Sequence, residues 1–258
     1  MKLSTALENL LFTTVRIETR MGNGRFTSGT AFIYEFSTQD NTYPFLVTAR
    51  HLIDGASEGR ITLMQGQSRA PVLGKGYTLD IENFSKLWFS HPVDKLDVAV
   101  TPFVPFVKHV ENSGVSVFFR ALTDKSCIDE TKLDALQVTD DAVFLGYPDC
   151  YWDKKHLLPI YRKAMIASPI SLLFRGQQQI LIDAEVMEGS SGSPVFMKSN
   201  ALGTSTDGSL LGVLSHITHD PEDEETHNQN NTNTMGVVIK MEAAVQAISA
   251  YLQEKGFI

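Results

Sequence analysis

Apolar positions recur along this chain with a period of two, in short runs broken by turn residues. FTTVRIE at 12–18 alternates and predicts a strand. The glycine-rich MGNGRFTSG after it predicts a turn, and GTAFIYEF at 29–36 and FLVT at 45–48 predict two more strands. Further short runs lie at 60–64, 70–73, 86–89 and 98–103. Strand, turn and strand in this rhythm is the pattern of an antiparallel barrel. Residues 102–133 carry no clean period beyond GVSVFFRAL at 114–122 and predict a connection. From 134 the strand pattern restarts, with DALQVTDDAVFLGYPD, MIASPISLLF at 165–174 and QQQILIDAEV at 177–186. SPVFMK at 193–198 and SLLGVLSHI at 209–217 predict a hairpin around NALGTSTDG, and MGVVIK at 235–240 predicts a last strand. Only the ends read as helix. Residues 3–10 place Leu3, Leu7, Leu10 and Leu11 near one face, with Ser4 as cap. Residues 242–257 do the same with Ala243, Val245, Ile248 and Leu252. The fold class expected is all-β, with residues 1–103, 104–133 and 134–258 as first half, connection and second half.

Composition narrows the function. The 258 residues are 43% hydrophobic, ordinary for a globular chain. A net charge of −8 argues against a nucleic-acid partner, because phosphate contacts need a basic surface, and against an anionic membrane surface. No apolar run approaches the ~20 residues that span a bilayer. Glu8 and Asn9 interrupt the N-terminal apolar run, which makes it a poor signal peptide. Two cysteines, Cys127 and Cys150, are too few for a disulfide framework and leave one bridge open. These features predict a cytoplasmic protein.

The candidate chemistry sits in EGSSGSPVF at 188–196. Glycines on both sides of a serine pair allow a tight turn that presents a hydroxyl to a cleft. The same turn can aim successive backbone N–H groups at one point, as an oxyanion site requires. A serine nucleophile needs a base, and the base needs an orienting carboxylate. His51 follows an apolar strand in FLVTARHLI, and Asp97 heads another in KLDVAV. The order His51, Asp97, Ser191, with gaps of 46 and 94 residues, is one of the known chain orders for such a triad.

These motifs resemble those of the chymotrypsin-like serine proteases, especially the HtrA-type and trypsin-like branch. TARH resembles that family's Thr-Ala-x-His, LDVAV its Asp-(Ile/Val/Leu)-Ala-(Val/Leu), and EGSSGSPV its Gly-Asn-Ser-Gly-Gly-Pro-(Leu/Val). VFLGYP also resembles a segment at the start of the family's second barrel. The resemblance covers roughly residues 12–255. It implies two antiparallel six-stranded β-barrels around a catalytic cleft, with a short N-terminal and a C-terminal helix. It further implies a serine endopeptidase with Ser191 as nucleophile, His51 as general base and Asp97 as its orienter. Gly189 and Ser191 would supply the oxyanion N–H groups. Ser190 is a rival that the motif register sets aside, Asp94 a rival expected to be solvated in the turn HPVDK, and Asp54 one expected on a turn pointing away. No cofactor or metal is implied; the acidic DPEDEE at 220–225 lacks the ligand spacing of a calcium loop. The implied partner is a polypeptide substrate, with room for a regulatory protein partner.

Two departures from the family pattern bear on mechanism. Ser190 stands where zymogen-activated members carry an aspartate that pairs with a newly cut N-terminus, so activation by N-terminal cleavage is not expected. Ser193 replaces a usual glycine, and a positive φ there would strain it. Glu185, six residues before Ser191, falls at the base of the primary pocket in the family and predicts cleavage after Lys or Arg. Ser215 and His216 fall at the substrate-facing end of a strand. A reading from a different class is a catalytically silent protease fold that grips a peptide.

Overall fold

The computed structural model describes residues 5–93, 95–129, 133, 136–198, 209–217 and 235–258. Helix α1 (Ala6–Leu10) opens on a capping box: Glu8 N–H donates to the Thr5 hydroxyl and Thr5 N–H donates to the Glu8 carboxylate. The cap is therefore Thr5, and Ser4 lies outside the described residues. α1 buries Leu10 and delivers the chain into the first sheet.

That sheet has eight strands: β1 (Thr14–Met21), β2 (Phe26–Ser37), β3 (Thr42–Thr48), β4 (Ala56–Gln67), β5 (Ala70–Glu82), β6 (Phe89–Ser90), β7 (Ala99–Pro102) and β8 (Leu122–Thr123). Its order is β5-β4-β1-β2-β3-β7-β6, with β8 paired parallel to β2. The near-continuous apolar run of β2 has a physical reason: both of its faces are buried. Ala31 and Ile33 join Val15, Ile17 and Leu46 in the core of the first half. Their neighbours Phe32 and Tyr34 point the other way, into a second core with Phe45 and Val47.

Several elements depart from the alternation pattern. β5 runs on to Glu82, well past 70–73. The first half of 86–89 is taken by a 3-10 turn, Phe84–Leu87, entered through Asn83 at φ 53°. The connection 104–133 carries helix α2 (Val104–Asn112), which buries Phe106 and Val110 one turn apart, and it also returns β8 to the first sheet. The run 114–122 forms no extended strand; Val117 makes a single bridge to Gln65.

The second half is a closed six-stranded barrel, ordered β10-β11-β14-β13-β12-β9. Its strands are β9 (Asp141–Gly146), β10 (Ile160–Ile166), β11 (Gln179–Asp183), β12 (Pro194–Met197), β13 (Leu210–Ile217) and β14 (Met235–Lys240). The strand expected at 165–174 lies earlier, at β10, and Leu172 and Leu173 sit exposed in the turn after it. Pro169 has no N–H to extend a ladder there. NALGTSTDG, the acidic stretch at 220–225 and the loop at 218–233 lie outside the described residues.

Helix α3 (Met241–Glu254) ends the chain and packs where the halves meet. Met241, Ala244 and Ile248 join Phe45 and Val100 of the first half with Phe196 and Val213 of the second in one core. Tyr251 meets the rings of Phe45 and Phe89 edge-on at 5.5 and 5.8 Å. Among the described residues no helix is long and apolar enough to cross a membrane. Cys127 and Cys150 are both free thiols.

Candidate active site

Strand pairing brings His51 and Asp97 together. β3 runs antiparallel to β7 with Thr48 opposite Ala99, so the residues just past Thr48 lie beside those just before Ala99. A 3-10 turn, Arg50–Leu52, then buries Leu52 and leaves His51 exposed at the surface of the cleft. Asp97 Oδ2 stands 2.7 Å from His51 Nδ1, and Oδ1 accepts the His51 backbone N–H at 2.8 Å. The Ser215 hydroxyl also donates to Oδ2. Three donors thus surround a carboxylate whose side chain is only 14% exposed, which offsets its desolvation. A carboxylate at that distance keeps the imidazole proton on Nδ1 and leaves Nε2 as an acceptor. Of the rival acids, Asp54 is held by Arg50 Nε at 2.6 Å, and Asp94 lies outside the described residues.

The serine turn is shaped by two glycines with positive φ, Gly189 at 89° and Gly192 at 85°. A Cβ on Gly192 would come within 1.9 Å of the Thr30 carbonyl oxygen, and one on Gly189 within 2.3 Å of the Tyr147 carbonyl oxygen. The turn leaves Ser191 partly exposed and buries Ser190 to 2%. The Ser191 hydroxyl donates to the Ser215 carbonyl at 3.3 Å. Ser215 therefore touches both ends of the site, Ser191 through its backbone and Asp97 through its side chain.

The backbone of the turn orients two amides. The Glu188 carbonyl accepts from Asp149 N–H at 3.0 Å, and the Ser190 carbonyl accepts from Ser193 N–H at 3.1 Å. In a trans peptide the N–H points opposite to the carbonyl. With both carbonyls tied back, the N–H groups of Gly189 and Ser191 project the other way, and neither donates to another described residue. Ser193 does not have a positive φ, so the strain considered from its sequence position does not arise. Its buried hydroxyl fits against Gly146, where a Cβ would sit 2.1 Å from it.

Glu185 is placed differently from the expectation. Its side chain is 59% exposed and its Oε2 lies 3.0 Å from Arg162 Nη2. Arg162 also donates to the Glu185 carbonyl at 3.1 Å. A basic-residue pocket needs a dry, unpaired acid, and Glu185 is neither. His216 lies in β13 directly after Ser215. Beside His51 a hollow is lined by Met21, Asn23, Arg25 and Thr27 of the β1–β2 hairpin together with Asp54.

Two β halves on a shared core, with the site at their seam, define the chymotrypsin-like fold. A search of solved structures bears this out. An HtrA-type protease, AlgW, with a bound tripeptide is similar at a TM-score of 0.56 and 14% identity, over 97% of this chain and 63% of that one. This chain thus spans under two thirds of that structure's length. The Rv3671c protease from M. tuberculosis in its active form is similar at 0.52 and 16% identity, over 95% and 82%. HL collagenase is similar at 0.52 and 13% identity, over 97% and 95%. No protein-family model matches the sequence, and no curated protein matches it.

Proposed function

We propose that this protein is a serine endopeptidase with His51, Asp97 and Ser191 as its triad. The observation that supports the reading is the pair of contacts made by Ser215, whose carbonyl accepts from the partly exposed Ser191 hydroxyl and whose own hydroxyl donates to Asp97, the carboxylate that holds His51. In this reading the Ser191 hydroxyl leaves the Ser215 carbonyl, gives up its proton to His51 Nε2 and attacks the substrate carbonyl. Gly189 and Ser191 N–H groups receive the oxyanion. His51 returns the proton to the leaving amine, Asp97 stabilises the imidazolium, and water hydrolyses the acyl-enzyme with His51 again as base.

The substrate is a polypeptide, as fits the tripeptide bound to the similar HtrA-type protease. Arg162 removes the case for Glu185 as a selector of Lys or Arg, which leaves His216 and the 218–233 loop as the candidates for setting preference. The silent peptide-binding module is the competing reading. One experiment separates them: treat the wild-type chain with a fluorophosphonate probe, map the label, and assay hydrolysis of an unfolded protein beside Ser191→Ala. We expect label on Ser191 and a loss of at least about 10³-fold in the variant, as nucleophile removal causes in such enzymes. An unlabelled, inactive wild type favours the module; label on Ser190 moves the nucleophile.

A further inference from the structure

Of the two amides assigned to the oxyanion site, that of Gly189 keeps its direction only while the Glu188 carbonyl is held away, and the holder of that carbonyl is the backbone N–H of Asp149. Asp149 is itself anchored. Its Oδ1 accepts from Arg16 Nη2 at 3.0 Å and from the Ser28 hydroxyl. Arg16 rises from β1, is 16% exposed, and lays its guanidinium over the Trp152 ring at 5.2 Å. Tyr147, at the start of the same segment, donates from its hydroxyl to the Thr14 carbonyl at 3.1 Å and meets Trp152 edge-on at 5.8 Å. Residues 147–152 thus form a brace with one side fixed to β1 and β2 and the other pressed on Gly189. The fit leaves no slack: a Cβ on Gly189 would come within 2.3 Å of Tyr147 O and 2.9 Å of Asp149 N. Thr30 adds a parallel tie, accepting from Tyr147 N–H at 3.1 Å and donating to the Gly189 carbonyl at 3.0 Å.

We infer that the Arg16–Asp149 pair is the latch that keeps the oxyanion turn formed in the uncut chain, with both residues acting as positioning residues. The inference rests on the endopeptidase reading above. Ser190 offers no carboxylate to a new N-terminus, so the turn needs another anchor. Arg16 supplies the cation from inside the first half, and its charge reaches the turn through Asp149 and one backbone hydrogen bond. The latch touches neither His51 nor the Ser191 hydroxyl. Its loss therefore weakens transition-state binding and spares both the His51–Asp97 pair and ground-state substrate binding.

The test compares full-length wild type with Asp149→Ala, Arg16→Met and Arg16→Lys on one peptide substrate. It records kcat and KM separately, the thermal midpoint, and the low-field proton resonance of the His51–Asp97 hydrogen bond. Removing an oxyanion donor outright costs about 10²–10³ in kcat, so loosening the turn should cost about 10- to 100-fold. We expect that loss in Asp149→Ala and Arg16→Met, with KM within about threefold and the low-field resonance retained, and partial rescue in Arg16→Lys. If Asp149→Ala does not fold, Arg16→Met decides, because Ser28 still holds Asp149 there. A kcat within about twofold of wild type in the folded variants overturns the latch. So does a loss that comes together with loss of the low-field resonance, which marks general collapse. A wild type that neither labels nor hydrolyses overturns the endopeptidase reading instead.

Discussion

Ser215 shows how a single residue can join the two halves chemically. Its hydroxyl meets a carboxylate 118 positions earlier in the chain, and its carbonyl meets a hydroxyl 24 positions earlier. Ser215→Ala should lower kcat about tenfold and leave KM near wild type, since hydrogen bonds to charged groups contribute about 1.5–3 kcal/mol and this one orients His51 indirectly. Steady-state kinetics checks this, and a change confined to KM would move Ser215 into simple substrate binding. The residue scale also marks where reading the chain alone stops. The His51–Asp97 contact and the glycine-flanked turn at Ser191 were legible because their motifs carry local strand-end and turn signals. The bond from Ser215 to Asp97 was not, because it depends on how β13 of the second barrel lies against the first half. Glu185 was misplaced for a related reason: register fixes its position in a motif but not its neutralisation by Arg162 on β10.

Elements were legible where strand alternation or an unbroken apolar run marks burial, and less so where packing alone decides. The alternation in β1 and the apolar runs of β2 and β3 carried enough signal to locate them. α2 was missed although Phe103, Phe106 and Val110 recur at helical spacing and are all buried. Two prolines and the polar Lys108-His109 step obscured the period, and its burial comes from the first-half core. α3 was read correctly from its apolar stripe. Its energetic role follows from where it lies: Ile248 is fully buried among side chains of both halves. Ile248→Ala should destabilise the protein by about 2–5 kcal/mol, as large-to-small changes in packed cores do. Urea unfolding should show a lower midpoint at an unchanged slope. A much smaller cost would mean that α3 rests on the surface of the core and does not close it.

At the scale of the whole molecule, the division into two halves is topological rather than energetic. Each half has its own core, yet a third core draws Phe32, Phe45 and Val100 from one and Phe196, Val213 and Ile239 from the other. The division into two β halves was legible from the restart of the strand pattern; that the first is an eight-stranded sheet rather than the six-stranded barrel expected was not, nor was the size of the shared core, since it is built from residues that alternate with each half's own. Calorimetry should therefore give a single transition with equal van't Hoff and calorimetric enthalpies. Two resolved transitions would show the halves melting apart. The shared core has a consequence for assembly. A chain interrupted at residues 130–132 would yield two polypeptides, each with an uncovered apolar face that only the other fits. Co-expressed, they would behave as the two different subunits of an obligate heterodimer, with concentration-dependent activity. The cleft would then be an interface in the literal sense, with His51 and Asp97 on one subunit and Ser191 on the other.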